Sequence, residues 1–436
     1  MNYRQTIDYL YHTLPMFSRM GSAAFKKDLT NTLLLCERLN NPHQKFKSIH
    51  VGGTNGKGSV SHMLAAVFQT AGYKTGLYTS PHLYDFRERI RINGIMAGEN
   101  FVVEFVERMK PAIEEIEPSF FEITVAMAFE FFARQKVDIA IIEVGLGGRI
   151  DSTNVITPEL SIITNIGWDH MNMLGNTLEE IAWEKAGIIK ERIPVVIGER
   201  QAETDKVFEM AAEKKHSIAH FAGDRFSVSD YQLSNDSISV SVFDKKENAG
   251  AFYQCDLAGI YQTKNITTVL QGMELLKDWN IGNHHIHHAL KNVKQLTGLH
   301  GRWEVIYKEP TVVLEVAHNK NGIEQMLLHL QQAEFEKLHI IIGIVKDKDL
   351  DPILQVLPAD AKYYFTQSHI PRALDAESLQ EKASVFKLRG SVYADVNDAL
   401  QKAMAQAFQN DLIIVCGSIF LVAEVNRRSK GFQEIN

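Results

Sequence analysis

The chain has 436 residues, with 46 basic and 53 acidic side chains and a formal net charge of -7. At roughly 100 to 200 residues per domain, this length predicts two to four domains. Hydrophobic residues make up 45% and charged residues 23% of the sequence, which is typical of a globular protein and excludes wholesale disorder. The acidic balance argues against a protein that mainly holds phosphodiester backbones, so we expect no nucleic-acid partner.

The cysteines and the apolar segments indicate the compartment. Cys36, Cys255 and Cys416 are far apart and form no CxxC pair, so neither a disulfide framework nor a thiolate zinc site is predicted. The sequence starts without an apolar signal segment, and the run 412–423 is shorter than the roughly 20 residues that a membrane-spanning helix needs. We therefore expect a cytoplasmic protein without a membrane partner, and a monomer because no coiled-coil pattern is present.

The first half of the chain alternates between apolar runs rich in Val and Ile and amphipathic stretches. The predicted strands are Lys47–Val51, Thr75–Thr79, Asp138–Val144, Leu160–Ile166 and Pro194–Ile197. The predicted helices are Ser59–Ala71, Asn100–Ile116, Thr124–Gln135 and Thr177–Lys185. This alternation predicts a doubly wound α/β core, in which a mostly parallel sheet is covered by helices on both faces.

The pattern changes beyond that core. From Phe226 to Phe243, polar and apolar residues alternate around a Ser-Asn-Asp turn, which predicts an appended β-hairpin region. A long helix is predicted from Lys264 to Lys277. The following segment 295–301 has two glycines and no helical period, so the predicted domains are 1–296 and 297–436.

The last third of the chain repeats the α/β alternation on a smaller scale. The predicted strands are Thr311–Val316, His339–Val345, Ala361–Thr366 and Leu412–Cys416. Helices are predicted at Asn321–Gln332 and Val396–Phe408. These elements predict a smaller, Rossmann-like C-terminal domain.

Residues 48–59, SIHVGGTNGKGS, have the sharpest chemical signature in the sequence. A strand, a glycine-rich turn and an apolar helix follow one another, as in a phosphate-binding loop. Glycines let backbone N–H groups converge on phosphate oxygens, the helix N-terminus points at them, and Lys57 adds a positive charge. Gly58 separates Lys57 from Ser59, which departs from the GxxxxGK[ST] pattern. The alternative is a glycine turn that binds nothing.

A nucleoside triphosphate in this loop implies magnesium, which needs hard oxygen ligands near the ends of neighbouring strands. Three residues occupy such positions: Ser80 after one strand, Glu143 at the end of a second, and His170 after a third. A carboxylate ending an apolar strand resembles the acidic residue that serves magnesium in other phosphate-loop enzymes. The alternatives are a surface carboxylate at Glu143 and a locally hydrogen-bonded loop histidine at His170.

Two further features are ambiguous from composition alone. Lys185 lies in the helical stretch IAWEKAGIIK, where the simplest interpretation is a solvent-exposed lysine. His284 and His288 lie one helical turn apart in a histidine tract, which suggests a metal site. Because no carboxylate or cysteine set accompanies the tract, a surface helix is favoured.

Five motifs in order, GTNGKGS, TSPHL, EVGLGGR, NIGWDH and EKAG, resemble those of folylpolyglutamate synthase, which in bacteria is often also dihydrofolate synthase, within the Mur ligase superfamily. The resemblance covers nearly the whole chain. It implies an ATP-binding domain followed by a C-terminal domain that closes over the nucleotide and helps to position glutamate.

The resemblance also implies roles for individual residues. The phosphate-binding positions are Thr54, Asn55, Gly56, Lys57, Gly58 and Ser59. Ser80 and Glu143 match the ligands of one magnesium ion, and His170 matches a ligand of a second. Lys185 stands where the family carries a carbamylated lysine, whose anionic group would face magnesium. Lys57, Glu143, His170 and Lys185 are therefore the expected catalytic residues.

Further matches concern the nucleotide and the pterin. Asn265, Arg302 and Glu315 match nucleotide contacts, and His318 lies in the matching Ala-His-Asn motif. Glu315 replaces the family's usual Asp, and Lys320 replaces its usual Pro. The expected pterin-binding residues are Phe121, Glu122, Asp151 and Ser152.

The expected reaction joins L-glutamate to the carboxylate of a folate or of dihydropteroate. ATP would activate that carboxylate as an acyl phosphate, and the products would include ADP and phosphate. One alternative is a Mur-type ligase that adds amino acids to cell-wall precursors, and another is a regulatory phosphate-loop ATPase. The motifs leave open whether the chain makes dihydrofolate, lengthens a glutamate tail, or does both.

Overall fold

The computed structural model describes residues 1–21 and 28–427. The chain divides into two compact units. The first comprises Met1–Gln232, Ser239–Asp256 and Tyr261–Leu299, and the second comprises Leu233–Ile238, Leu257–Ile260 and the residues from His300 onward. The division into domains 1–296 and 297–436 stays a prediction.

The first unit contains an eight-stranded sheet. Its strands are β1 (Lys47–Gly52), β2 (Thr75–Tyr78), β3 (Ile90–Ile92), β4 (Ile95–Met96), β5 (Ile139–Glu143), β6 (Leu160–Ile163), β7 (Val195–Ile197) and β8 (Ala219–Phe221). The order is β4-β3-β2-β5-β1-β6-β7-β8. The pairs β2-β3 and β3-β4 are antiparallel, and the other pairs are parallel. All residues of β5 are buried, because helices cover both faces of the sheet. The predicted doubly wound core is confirmed.

Thirteen helices are described in this unit. They are α1 (Tyr3–Thr13), α2 (Phe17–Met20), α3 (Thr30–Arg38), α4 (Lys57–Thr70), α5 (Glu99–Ile116), α6 (Phe120–Gln135), α7 (Met171–Leu174), α8 (Leu178–Ala186), α9 (Asp205–Lys214), α10 (Ala222–Arg225), α11 (Gln262–Leu275), α12 (Asn283–Lys291) and α13 (Val293–Thr297). Short 3-10 helices lie at Pro42–Gln44, Phe86–Arg89 and Ser152–Val155. Helix α6 begins earlier than the predicted Thr124, because Ser119 caps it.

The predicted hairpin region is a three-stranded sheet. Its strands are β9 (Phe226–Leu233), β10 (Ile238–Asp244) and β11 (Ala249–Cys255), in the order β11-β10-β9. The sequence prediction missed β11, because the first four residues of that strand are exposed and give no alternation of polar and apolar side chains.

The second unit contains a six-stranded sheet. Its strands are β12 (Glu304–Lys308), β13 (Thr311–Leu314), β14 (Leu338–Ile342), β15 (Lys362–Phe365), β16 (Gly390–Val392) and β17 (Leu412–Cys416), in the order β12-β13-β17-β14-β15-β16. Only β12 pairs in antiparallel fashion. The helices are α14 (Lys320–Leu330), α15 (Asp351–Val356), α16 (Ala376–Val385), α17 (Val396–Gln406) and α18 (Ile419–Ala423). This is the predicted Rossmann-like arrangement. Within residues 1–21 and 28–427, no helix has the length and apolarity to cross a membrane.

Candidate active site

The glycine-rich loop connects β1 to α4 at the carboxyl edge of the first sheet, between Gly52 and Lys57. Gly53 and Gly56 have φ values of +136° and +82°, a region that favours glycine. A Cβ atom at Gly53 would lie 1.9 Å from Thr164 Oγ1, and one at Gly56 would lie 2.5 Å from Asn265 Oδ1. Both positions therefore require glycine, because their φ values are positive and because a Cβ atom would clash with Thr164 or Asn265.

Neighbouring loops fix the phosphate loop from the β6 side. The Thr54 N–H donates to the Asn165 carbonyl oxygen at 2.9 Å, and the Asn55 N–H donates to Asn165 Oδ1 at 2.9 Å. Thr54 Oγ1 accepts from the Gly167 N–H at 3.0 Å. Asn165 was not among the predicted site residues. Its position in the NIGWDH motif, directly after an apolar strand, was the available signal.

Lys57 is the first residue of α4, and its side chain folds back over the loop. Its Nζ donates to the carbonyl oxygens of Gly53 at 3.1 Å and Thr54 at 3.0 Å. Gly58 and Ser59 follow in the first turn and are buried, with Ser59 Oγ accepting from Gln262 Nε2 at 3.4 Å. The helix N-terminus and the lysine amine are thus held at one loop, an arrangement suited to phosphate.

Lys185 is buried at 4% exposure, although it lies on α8 far along the chain. Its Nζ donates to the Gly53 carbonyl oxygen at 2.9 Å, the same oxygen that accepts from Lys57. The interpretation of Lys185 as a solvent-exposed helix residue is therefore wrong, because helix packing carries it inward. Burial and the positive charge of Lys57 lower the pKa of Lys185 to about 7.

Glu143 is the last residue of β5, next to Val51 of β1 in the strand register. Its carboxylate is buried at 5% exposure, and Glu143 Oε2 accepts from the Ser80 N–H at 3.0 Å. The interpretation of Glu143 as a surface residue is therefore wrong. Parallel neighbouring strands bring Glu143 and the phosphate loop to one sheet edge, and the loop after β2 adds Ser80.

His170 lies beyond the end of β6, where it precedes α7 in a left-handed conformation with φ of 51°. Its backbone N–H donates to Asp169 Oδ1 at 2.8 Å, and its ring packs edge-on against Phe17. Asp169 was missed as a candidate, although it shares the NIGWDH motif. Its side chain is 8% exposed.

The structure tests whether these residues suit magnesium. Within the described ranges, no group of three or more His, Cys, Asp or Glu side chains is arranged to hold a metal ion. Magnesium commonly takes one or two carboxylates and completes its shell with waters and phosphate oxygens. The buried Glu143 carboxylate beside the phosphate loop therefore fits magnesium bound together with a nucleotide. The histidine tract lies on α12, where His287 stacks on Tyr253, and the metal interpretation of that tract has no support.

The predicted pterin residues fall into two neighbouring groups. The Phe121 ring packs so closely on Gly145 that a Cβ atom there would lie 2.4 Å from Phe121 Cζ. Glu122 Oε2 accepts from the Ser119 N–H at 2.6 Å and thereby closes the cap of α6. The Glu122 carboxylate thus has a structural partner, and its contact with substrate stays a prediction.

Asp151 shapes the glycine loop after β5. Its Oδ2 accepts from the Leu146 N–H at 2.8 Å, and its Oδ1 accepts from the Thr153 N–H at 2.9 Å. Burial raises the pKa of Asp151, while the hydrogen bonds from Thr153 and the loop oppose that increase. Ser152 follows and is also buried. Asp151 therefore holds the loop that packs against Phe121.

The remaining predicted nucleotide residues lie apart along the chain. Asn265 on α11 contacts the phosphate loop at Gly56, and its Nδ2 donates to Gln262 Oε1 at 2.8 Å. In the second unit, Glu315 follows β13, is 3% exposed, and accepts from the Trp303 N–H at 2.9 Å through Oε2.

Arg302 and His318 lie on either side of β12 and β13 in sequence. Arg302 Nη1 donates to the Gly301 carbonyl oxygen at 3.4 Å, and His318 Nδ1 lies 2.9 Å from the Val316 carbonyl oxygen. Main-chain contacts thus fix both side chains locally. Their nucleotide contacts stay predictions.

Comparison with known proteins identifies the class that this fold and loop define. Residues 51–271 match the Mur ligase middle domain, and residues 301–419 match the Mur ligase glutamate ligase domain. The chain is thus built as a Mur-type ligase.

Similarity to individual proteins narrows this class. The chain is 34% identical to the dihydrofolate synthase/folylpolyglutamate synthase of Bacillus subtilis (strain 168), over 91% of this chain and 93% of that protein. It also resembles the crystal structure of folylpolyglutamate synthase from Thermotoga maritima, with a TM-score of 0.79, 35% identity and coverage of 97% and 95%. Escherichia coli FolC in complex with DHPP and ADP gives a TM-score of 0.81 at 26% identity, with coverage of 97% and 96%.

The chain belongs to the dihydrofolate synthase/folylpolyglutamate synthase family. The alternative of a Mur-type ligase for cell-wall precursors is not favoured by these relatives.

Proposed function

We propose that this chain is an ATP-dependent ligase that joins L-glutamate to the carboxylate of a folate, of dihydropteroate, or of both. The observation that carries the proposal is the edge of the first sheet. There, the Lys57 and Lys185 amines share the Gly53 carbonyl oxygen, beside the buried Glu143 carboxylate. The names of the relatives support the same activity, and the Escherichia coli relative was solved with both DHPP and ADP.

In the proposed first step, an oxygen of the acceptor carboxylate attacks the γ-phosphorus of ATP, and ADP leaves. The backbone N–H groups at the start of α4 would orient the phosphates, and Lys57 would stabilise the charge that develops on them. Glu143 and the Ser80 region would hold magnesium. When bound, magnesium neutralises phosphate charge and orients the phosphoryl oxygens.

In the second step, the amine of glutamate attacks the acyl phosphate carbonyl and phosphate leaves, which forms the amide. The protein's contribution to this step is to position the two reactants and to exclude water, because water would hydrolyse the acyl phosphate. The second unit matches the glutamate ligase domain of the superfamily, so we assign the binding of glutamate to it. We also assign nucleotide contacts to Asn265, Arg302, Glu315 and His318.

We further propose that Lys185 is carbamylated. A neutral amine adds carbon dioxide to form N–COO⁻ and releases a proton. A pKa near 7, caused by burial and by Lys57, keeps part of the amine neutral at neutral pH. The product replaces a buried cation with an anion that can face magnesium together with His170.

The cysteines indicate the cellular compartment. All three cysteines of the chain are free thiols and are buried, which suits a reducing compartment. We therefore propose that the chain acts in the cytoplasm, as a monomer, on small-molecule substrates, without a nucleic-acid or membrane partner.

The test measures ADP release with ATP, magnesium and glutamate, and compares dihydropteroate with tetrahydrofolate as acceptor. We expect ADP release to require both an acceptor and glutamate. A preference for dihydropteroate would assign dihydrofolate synthase activity, and a preference for tetrahydrofolate would assign folylpolyglutamate synthase activity. ADP release that is unaffected by omission of glutamate and acceptor would instead support the regulatory ATPase.

A further inference from the structure

Arg89 ends the 3-10 helix Phe86–Arg89 and is only 7% exposed. Its Nε donates to His82 Nδ1 at 2.8 Å, and its guanidinium lies 5.3 Å from the centre of the Phe120 ring. Among the described residues, no carboxylate lies within ion-pair distance of Arg89. By contrast, the nearby Arg87 pairs with Asp85 at 2.8 Å. Burying a cation without an anion is costly, which indicates that an anionic ligand completes this site.

The hydrogen bonds around Arg89 leave donors available. Arginine Nε always carries a hydrogen, so His82 Nδ1 must accept and the neutral ring carries its proton on Nε2. His82 Nε2 lies 3.0 Å from the Tyr11 hydroxyl oxygen and therefore donates to it. The hydroxyl proton of Tyr11 is then left to donate elsewhere.

Tyr78 adds a second hydroxyl to the same cluster. Its side chain is 0% exposed, and its hydroxyl has no hydrogen bond of ordinary geometry among the described residues, although the Arg89 guanidinium is close enough to act as a donor to it. Burial raises the pKa of Tyr78, and the charge of Arg89 is the strongest influence that opposes this increase, so the two groups lie close together. Asp85, Asp151 and Glu143 lie near enough to act electrostatically on these hydroxyls, but none of them forms an ion pair with Arg89. The cluster of Arg89, Tyr11 and Tyr78 thus presents donors without an ion-paired carboxylate.

This donor cluster adjoins the site of chemistry. The Thr79 N–H donates to the Arg89 carbonyl oxygen at 3.1 Å, and the next residue, Ser80, donates its N–H to Glu143 at 3.0 Å. The Tyr78 ring lies 6.2 Å from the Phe121 ring, centre to centre. An acceptor whose carboxylate reacts beside Glu143 would therefore pass close to Arg89.

We propose that Arg89, assisted by the hydroxyls of Tyr11 and Tyr78, binds the α-carboxylate of the terminal glutamate of a folate acceptor. The proposal rests on the proposed function. The α-carboxyl and the reacting γ-carboxyl carbons of that glutamate are four C–C bonds apart, roughly 5 Å when extended. A guanidinium binds a carboxylate through two parallel hydrogen bonds. Dihydropteroate has no such α-carboxylate, so Arg89 favours folate acceptors over dihydropteroate.

The experiment is a comparison of two ligands by calorimetric titration. Tetrahydrofolate and its α-carboxamide analogue, which keeps a free γ-carboxylate, are titrated into the parent chain, Arg89→Gln and Arg89→Lys. Arg91→Gln is the matched control. Arg91 is also buried, at 8% exposure, but its Nε and Nη1 donate to the carbonyl oxygens of Glu88 and Gly94 at 3.3 and 3.2 Å. Replacing Arg89 leaves no buried carboxylate without an ion-pair partner, so the variant is expected to fold.

In the parent, we expect the carboxamide to bind at least about tenfold more weakly than tetrahydrofolate. Arg89→Gln should bind both ligands equally weakly, Arg89→Lys should recover part of the difference, and Arg91→Gln should keep it. A parent that does not distinguish the two ligands, or an unchanged difference in Arg89→Gln, overturns the assignment of Arg89. Absence of tetrahydrofolate binding to the parent, together with absence of ligation to tetrahydrofolate, instead contradicts folate as the acceptor.

Discussion

Two ionisable groups, the buried Lys185 in the first unit and the half-buried Glu304 in the second, have pKa values that the fold shifts with opposite effects on stability. Burial and the neighbouring Lys57 lower the pKa of Lys185 to about 7. At the start of the second unit, burial raises the pKa of Glu304, but hydrogen bonds from His300 and Arg427 outweigh it and bring the value to about 2. The two nitrogens of Arg427 donate to Glu304 at 2.6 and 2.8 Å.

The two pKa shifts have opposite consequences for stability. Between pH 7 and 10.5 the unfolded chain binds more protons at Lys185 than the folded chain does, so this lysine destabilises the fold at neutral pH. Between about pH 2 and 4.5 the unfolded chain again binds more protons, here at Glu304, and the contribution of this group is favourable at any higher pH. The destabilising Lys185 lies at the candidate active site, whereas the stabilising Glu304 contacts only His300 and Arg427 among the hydrogen bonds that lower its pKa.

The largest expected effect is at the phosphate loop. Lys57→Ala should lower kcat/KM for ligation by at least about 1,000-fold, because a charge partner of the transition state is lost from a loop. Steady-state ADP release measures the effect, and circular dichroism checks the fold. Lys264→Ala is the control, because the Lys264 amine pairs with Glu199 on an exposed position. A correctly folded Lys57→Ala with parental kcat/KM would refute the phosphate-loop assignment.

Lys185→Ala tests the carbamate directly. We expect an inactive enzyme that millimolar formate or acetate partly rescues, because the small carboxylate enters the vacated space and replaces the anion. Lys185→Glu should not substitute well, since its stem is shorter. The control is Lys190→Ala, which removes a half-buried lysine whose Nζ donates to the Asn154 carbonyl oxygen at 2.7 Å. Near-parental activity of Lys185→Ala would count against a carbamate.

Glu143→Gln preserves the shape of the side chain but removes its anion. The magnesium concentration at half-maximal activity should rise strongly, and activity should fall about 100-fold. A magnesium titration of both proteins measures the shift. Glu130→Gln is a matched control, because Glu130 is also buried but pairs with Arg108 and Arg134. If Glu143→Gln gave the parental magnesium curve, Glu143 would be structural only.

Lys185→Met tests whether the buried Lys185 amine destabilises the fold. In buffer free of carbon dioxide and ligands, the variant should be more stable than the parent at pH 7, by on the order of a few kcal/mol. The advantage should shrink as pH rises from about 7 towards 10.5, because the amine then becomes neutral in the unfolded chain as well. Urea unfolding at several pH values measures this. A stability difference that does not change with pH would contradict the lowered pKa.

Glu304→Gln should change stability in the opposite direction to Lys185→Met, and by a smaller amount. The parent should lose about 2 to 3 kcal/mol as pH falls from about 4.5 to about 2, and the variant should lack this component. Acid titration of thermal unfolding compares the two proteins. Glu309→Gln, at an exposed turn where Gln409 Nε2 donates to the Glu309 carboxylate, is the control. Identical acid profiles for parent and Glu304→Gln would show that the Arg427 and His300 contacts with Glu304 contribute nothing to the free energy of unfolding.

The sequence by itself determined the features whose physics is local. Apolar Val and Ile runs predicted five of the eight strands of the first sheet and four of the six strands of the second, and glycine spacing before α4 located the phosphate loop. Glu143 was found because a carboxylate that ends a buried strand must lie at the sheet edge where parallel strands finish. The confirmed family follows from five short motifs, each contained within a few residues.

Only the tertiary structure decided which charges are buried and what they contact. Lys185 has an ordinary helical neighbourhood in sequence, but packing of α8 brings its amine to Gly53, 132 residues away. Arg89 lies among charged residues in the sequence, yet it is 7% exposed and contacts His82 and Phe120. Desolvation and hydrogen-bond partners depend on long-range contacts, and no local pattern of residues encodes them.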